Sequence, residues 1–212
     1  MPPLTFLETE QLILRPIEQA DLPHLVRWIN KPEMRNFLAV RTPNSSNAEA
    51  DWLAQITRPS NPPADIVLAI VHKKGPRLIG LTGLHQIDWI NRRAVTGSYL
   101  GEACDRGKGY GKASKLAMLE YAFNTLDLRK INSEANADNV ASQKCLLACG
   151  YTHEGVRRQH LLIAGKAVDS ILFGITQDEW RQRNAPAALS SEACRVWLLG
   201  KNKILSDHPY LF

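Results

Sequence analysis

Between Cys104 and Ala113 the chain reads Cys104-Asp105-Arg106-Gly107-Lys108-Gly109-Tyr110-Gly111-Lys112-Ala113, three alternating glycines interleaved with three cations. Glycines let the backbone turn sharply and aim successive N–H groups into one concavity. A helix starting just after them adds the partial positive charge of its N-terminus, and Arg106, Lys108 and Lys112 add full charges. Such a segment suits a phosphate or pyrophosphate.

Spacing separates the glycine motifs that could do this. A Walker A loop needs a glycine five residues before Gly111-Lys112, where Arg106 stands, and Ala113 replaces its Ser/Thr. A Rossmann fingerprint needs a third glycine where Lys112 falls, and antiparallel strands ahead of the loop argue against it. A plain surface turn needs neither the cations nor a strand-to-helix junction.

Other reactive side chains are sparse. Of the four cysteines, Cys145 and Cys149 sit four apart in an apolar helical pattern, and no His or acid follows at metal-ligand spacing. They are expected to be reduced and structural, with no metal bound, and neither Cys104 nor Cys145 has a local His to activate it as a nucleophile. A net charge of +5 favours anionic ligands, but no block of like charge suits nucleic acid. No apolar stretch is long enough to span a bilayer, and the expected compartment is the cytoplasm.

These residues need a frame to position them. Thr9–Arg15 predicts an early strand; helices follow from Asp21 (as cap) and over Glu49–Ile56. Asp65–His72, Arg77–His85 and Ala94–Leu100 predict three strands in an antiparallel meander. Lys112–Leu126 predicts a helix burying Ala113, Leu116, Ala117, Tyr121 and Leu126. A strand at Lys130–Ala135, a helix at Val140–Ala148 with Gly150 just past its end, and strands at Arg157–Ile163 and Ala167–Ile175 complete the pattern, which Trp180 closes. The fold class is α/β (α+β): a mixed, largely antiparallel sheet with helices on both faces. Residues 1–183 make one domain; 184–212 change character and are expected to form a short helix packed on the domain or a partner.

Arg106-x-x-Gly109-x-Gly111 resembles the signature of the GNAT superfamily of N-acetyltransferases, and the resemblance extends over roughly Thr9 to Trp180. Within it the chain is similar to the subgroup that includes bacterial ribosomal-protein N-terminal acetyltransferases. Thr9–Arg15 resembles that group's opening strand. Asn139-x-x-Ser142 followed by Leu146-x-x-x-Gly150-Tyr151 resembles its next motif, and Glu154-Gly155, Asp169 and Glu179-Trp180 its closing segments.

The resemblance implies a sheet splayed between the fourth and fifth predicted strands, Ala94–Leu100 and Lys130–Ala135. It implies acetyl-CoA as co-substrate, its pantetheine arm along Ser98, Tyr99 and Leu100. The diphosphate then lies on Arg106, Gly107, Lys108, Gly109, Tyr110, Gly111 and Lys112, with Asn139 and Ser142 near the thioester. Transfer to an amine is direct. Many relatives protonate the leaving thiolate with a tyrosine where Leu146 stands, and Ser142 inherits that role by resemblance, beside the alternative that it only bonds the helix start or the pantetheine. The family's strand glutamate is replaced by Val95, and a second possible base position by Leu161, beside His160; Glu102, Glu134 and His85 remain as bases. At about pH 7.4 a lysine ε-amine near 10.4 costs roughly 4 kcal/mol to deprotonate, an α-amine near 8 under about 1. The missing base therefore points to a weakly basic acceptor. That acceptor is a protein N-terminus or a small-molecule amine such as an aminosugar, polyamine or aminoglycoside, with Trp28, Asn30, Glu33, Arg35, Phe37 and Trp52 as candidates for one wall, core packing being the better reading of the two tryptophans. A non-catalytic acyl-CoA-binding module is the reading from another class. The expected assembly is a monomer or homodimer.

Overall fold

The computed structural model describes residues 4–35, 38, 42–58 and 60–184. Phe37 and the extension from residue 185 onward lie outside the described residues.

The single strand predicted over Thr9–Arg15 is a hairpin, β1 (Leu7–Glu8) and β2 (Leu12–Pro16), closed by the Thr9 N–H on the Leu12 carbonyl at 2.9 Å. After it come α1 (Leu22–Ile29), α2 (Pro32–Arg35) and α3 (Ser46–Thr57). Asp21 precedes α1 but its side chain does not cap it. Its buried carboxylate takes both Arg15 terminal nitrogens, at 2.7 and 2.8 Å, tying the helix start to β2. The meander follows as β3 (Ile66–His72), β4 (Arg77–Asp88) and β5 (Arg93–Leu100). Then come α4 (Tyr110–Asn124), β6 (Lys130–Asn136), α5 (Val140–Ala148), β7 (Thr152–Ile163), β8 (Lys166–Thr176) and α6 (Gln177–Asn184). Strand β7 starts five residues before its prediction, and Trp180 lies inside α6.

The eight strands form one sheet in the order β1-β2-β3-β4-β5-β6-β8-β7, antiparallel everywhere except at β5–β6. Alternation along β3 shows both faces covered: Leu68 and Ile70 enter one core with α4, while Ala69 and Val71 enter another beneath α1 and α3. A strand buried on both sides reads as a continuous apolar run, as Ile66–Val71 does.

The residues on α4 that face the sheet differ from those predicted. Ser114, Lys115, Met118, Leu119, Ala122 and Phe123 are buried, while Ala113, Leu116, Ala117 and Tyr121 lie on its half-buried flank and Leu126 falls beyond its end. A serine and a lysine in the true stripe break the apolar period, so the neighbouring alanine- and leucine-rich flank matched it better.

Strands β5 and β6 pair over only three positions, ending at Val95↔Asn132. Beyond that, β5 follows β4 through Gly80↔Leu100 and β6 follows β8 through Asn136↔Ser170. Each strand keeps a full ladder on its other side, so the splay leaves backbone groups only along the inner edges without strand partners. Those edges are a ready hydrogen-bonding track.

Candidate active site

The splay opens a cleft of about 840 Å³ lined from β5 by Thr96–Leu100 and from β6 by Ser133–Asn136. The glycine loop, α4 and α5 form the rest of its wall. Of the twelve predicted cofactor contacts, eleven meet here: Ser98, Tyr99, Leu100, Arg106, Gly107, Gly109, Tyr110, Gly111, Lys112, Asn139 and Ser142. Lys108 is exposed and not on the wall.

The loop reaches its shape through ties at both ends. At its start, Glu102 accepts from Trp28 Nε1 at 2.7 Å and pairs with Lys31 and Arg27, each at 2.5 Å. The lysine and indole hydrogen bonds hold this carboxyl down at about 2. Glu102 is therefore a tie to α1 and a poor base. Gly101 is required beside it, since a Cβ there would lie 2.0 Å from the Trp28 ring. Asp105 is fully buried and bonds both terminal nitrogens of Arg77, one at 2.8 Å, which keeps its carboxyl below the usual range. The Tyr110 hydroxyl meets His72 Nε2 at 3.0 Å, fixing the start of α4 to the end of β3.

Between these ties Gly107 and Gly109 adopt φ of 74° and 84°, a region costly for any other residue, and Gly109 caps α4. The first main-chain bond into the helix is Ala113 N–H to the Gly109 carbonyl at 2.9 Å. Among the described residues the N–H groups of Gly107 to Lys112 find no main-chain acceptor. An added Cβ at Gly107, Gly109 or Gly111 would meet nothing within 4 Å, so the cradle is open to a ligand. Six adjacent N–H groups, a helix N-terminus and nearby Arg106 and Lys112 fit a diphosphate.

On α5 the Asn139 side chain accepts from the Ser142 N–H at 3.1 Å, capping the helix and turning Ser142 to the cleft. Leu146 is 1% exposed and belongs to the core, so it presents no donor to the cleft. Glu134 lies on the cleft wall, but it pairs with Arg157 at 2.6 Å and accepts from Ser170 at 3.0 Å. His85 bonds Asp65 at 3.2 Å and is not on the wall. Cys145 reaches the cleft, while Cys149 is buried behind it.

Among the described residues, those predicted for an acceptor wall do not line this cleft. Trp28 is core, Asn30 is pinned to Asn44, and Glu33, Arg35 and Trp52 do not line the cleft. Met34 and Leu38 line it instead. Sequence reasoning also missed Thr96, Lys115 and Tyr151, which meet where the strands part. Thr96 Oγ1 lies 2.7 Å from the Tyr151 hydroxyl and accepts from Lys115 Nζ at 3.3 Å. A lysine within the buried period of α4 was the available signal.

A splayed sheet with an N–H cradle at one end and an open strand track leading inward is the frame of an acyl-CoA-dependent acyltransferase. The sequence profile of the Acetyltransferase (GNAT) domain matches residues 11–152. The chain belongs to this family and is an N-acetyltransferase by homology.

An uncharacterized N-acetyltransferase of Bacillus licheniformis is 28% identical over 175 residues, covering 82% of this chain and 97% of that protein. Spermidine N(1)-acetyltransferase of Vibrio cholerae is 26% identical over 174 residues, covering 82% and 98%. A solved structure of spermidine N-acetyltransferase from Vibrio cholerae with CoA and spermine superposes with a TM-score of 0.74 at 23% identity, covering 81% of this chain and 99% of that one. A putative ribosomal N-acetyltransferase of Bacillus subtilis is 29% identical over 103 residues, only 49% of this chain and 56% of that protein.

Proposed function

We propose that the chain transfers an acetyl group from acetyl-CoA directly to a primary amine, and that its acceptor is a protein N-terminal α-amine. The observation that carries the acetyl-CoA reading is the continuity of the cleft from the Gly107–Lys112 cradle to the Thr96 end of the split. The diphosphate binds the cradle, the pantetheine runs along Ser98, Tyr99 and Leu100, and the thioester lies near Ser142. Asn139 holds the turn that presents Ser142, whose hydroxyl hydrogen-bonds the thioester sulfur.

The acceptor reading rests on charge. Among the described residues Glu134 is the one carboxylate on the cleft wall, and Arg157 already neutralises it. Arg106, Lys112, Lys115 and Lys144 stand on the same wall. A polycation needs unpaired carboxylates to exchange for its hydration, whereas an α-amine near pKa 8 is partly neutral without a strong base. The ribosomal-protein subgroup is the favoured assignment on this ground. A small polyamine acceptor is the second reading, favoured by the similarity to spermidine N(1)-acetyltransferase. We read the compartment as the cytoplasm, in keeping with the reduced Cys145 and Cys149, and the assembly as a monomer or homodimer.

A CoA-release assay with acetyl-CoA tests these readings against peptides with free or blocked N-termini and against spermidine. Turnover on free α-amines alone is expected. Turnover on spermidine alone overturns the acceptor, and tight CoA binding without turnover on any amine makes the chain a binding module. Ser142→Ala should lower kcat several-fold with little change in CoA affinity; equal loss of both removes Ser142 from the chemistry.

A further inference from the structure

One residue in the buried stripe of α4 is not explained by packing. Lys115 is 6% exposed, and its Nζ pairs with no carboxylate among the described residues. Nζ donates to Thr96 Oγ1 at 3.3 Å and stands 5.9 Å from the centre of the Tyr151 ring. Thr96 Oγ1 in turn lies 3.4 Å from the Asn132 carbonyl, to which its own proton goes, and takes the Tyr151 hydroxyl at 2.7 Å. Both lone pairs of Thr96 are thus used, and an ammonium keeps two further N–H donors. A buried cation without a counter-charge destabilises a folded chain, and desolvation draws the Lys115 pKa down. Groups that break the packing rules in this way concentrate where function needs them.

We propose that Lys115 is a catalytic residue, the proton donor to the CoA sulfur as it leaves. The inference rests on the reading of the cleft as the acetyl-CoA site. Thr96 is the first residue past the last β5–β6 pair, so Lys115 stands at the closed end of the split, opposite the phosphate cradle at the open end. Charge there faces a thioester that is neutral when bound and whose sulfur turns negative only during reaction. Such an arrangement favours the transition state over the ground state. Leu146 has no donor, and a serine hydroxyl can hydrogen-bond the sulfur without neutralising it.

The amine lone pair forms the N–C bond at the thioester carbonyl, and the tetrahedral oxyanion collapses. The C–S bond breaks with its electron pair on sulfur, and Lys115 gives that sulfur a proton. The nitrogen releases one proton to solvent, and the Lys115 amine regains one. The titratable groups facing Lys115 are Cys145 and Cys149 from α5 and Tyr151 after it, with Lys112 one turn earlier on α4 also near Cys145. The hydrogen bond from Cys149, with Lys115 and Lys112, draws the Cys145 thiol down.

The test is Lys115→Met, with Lys115→Gln as a second variant, each compared with wild type on its best amine. With acetyl-CoA, kcat should fall about a hundredfold, the low end of the general-acid range. The Kd for CoA should stay within about threefold, and Tm should rise for Met, which removes the buried cation. With an acetyl thioester of an acidic aryl thiol, whose thiolate leaves unprotonated, the deficit should shrink to under about fivefold. The fall in wild-type kcat as pH rises through the Lys115 pKa should be missing in both variants. Wild-type kcat in either variant, equal deficits on the two thioesters, or parallel loss of CoA affinity overturns the proposal. A wild-type chain that turns over no amine overturns the acetyltransfer reading as well.

Discussion

The two ends of the cleft are built from opposite materials. At the open end, Arg106–Lys112 presents main-chain N–H groups on exposed glycines with positive φ, held by ties from Asp105 to Arg77 and from Tyr110 to His72. At the closed end, Thr96, Ser133, Lys115 and Tyr151 are buried side chains from β5, β6, α4 and the turn after α5. On the proposed reading the first end grips a constant charge and can be water-exposed, because many N–H donors and a helix terminus act together. The second acts on charge that exists only transiently, which demands few donors in a dry, fixed setting. Substitutions at the open end should therefore move affinity. Those at the closed end should move stability and turnover.

The largest effect should come where the loop is fastened. Gly101→Val drives a side chain into the Trp28 ring, and the core beneath α1 must open. A loss of about 3 kcal/mol or more is expected in urea unfolding. A change within about 0.5 kcal/mol would mean that Trp28 is not fixed against the loop. Next, Thr96→Val leaves the Tyr151 hydroxyl and Lys115 without their shared acceptor, at about 2 kcal/mol of stability, while CoA affinity measured by calorimetry should not change. Weakened CoA binding in this variant would erase the division between the two ends.

Gly109→Val should do the converse. Its φ of 84° strains a β-branched residue by about 1 to 2 kcal/mol, and the cradle shifts to relieve it. The Kd for CoA should rise about tenfold, roughly 1.4 kcal/mol, with kcat on saturating acetyl-CoA within about twofold; a large kcat loss would tie the cradle to the chemistry.

The smallest effect concerns Glu102. Its folded pKa of about 2 lies below the unfolded value of about 4.3. Its stabilisation is fully present above the unfolded value and is lost as pH falls through the folded one. Glu102→Gln should cost about 1 kcal/mol at neutral pH, reduced by solvent screening, and the gap to wild type should close between about pH 4.3 and 2. A gap that persists at pH 2 would mean that Glu102 holds α1 by shape and not by charge.

Legibility in the sequence followed the same division. The apolar run of Ile66–Val71, the turns that bound the strands and the glycine after α5 are local, so the element order emerged almost whole. The hairpin at Thr9–Gln11 and the true stripe of α4 did not. In the first a two-residue strand carries too little pattern. In the second the polar residues that give the stripe its use also disguise it. Trp28 and Asn30 lie off the cleft because their partners stand elsewhere in the chain, at Glu102 and Asn44.

By itself the sequence determined the glycine-rich loop and the order of the elements, because glycine spacing, cations and strand periods act within one segment; the place of the split came from the family resemblance. Only the tertiary structure decided which polar side chains meet at the closed end. Thr96, Lys115, Ser133 and Tyr151 span 55 positions, and their encounter depends on β5 following β4 while β6 follows β8. Contacts of that kind are set by how strands pair and helices pack, and no local spacing encodes them.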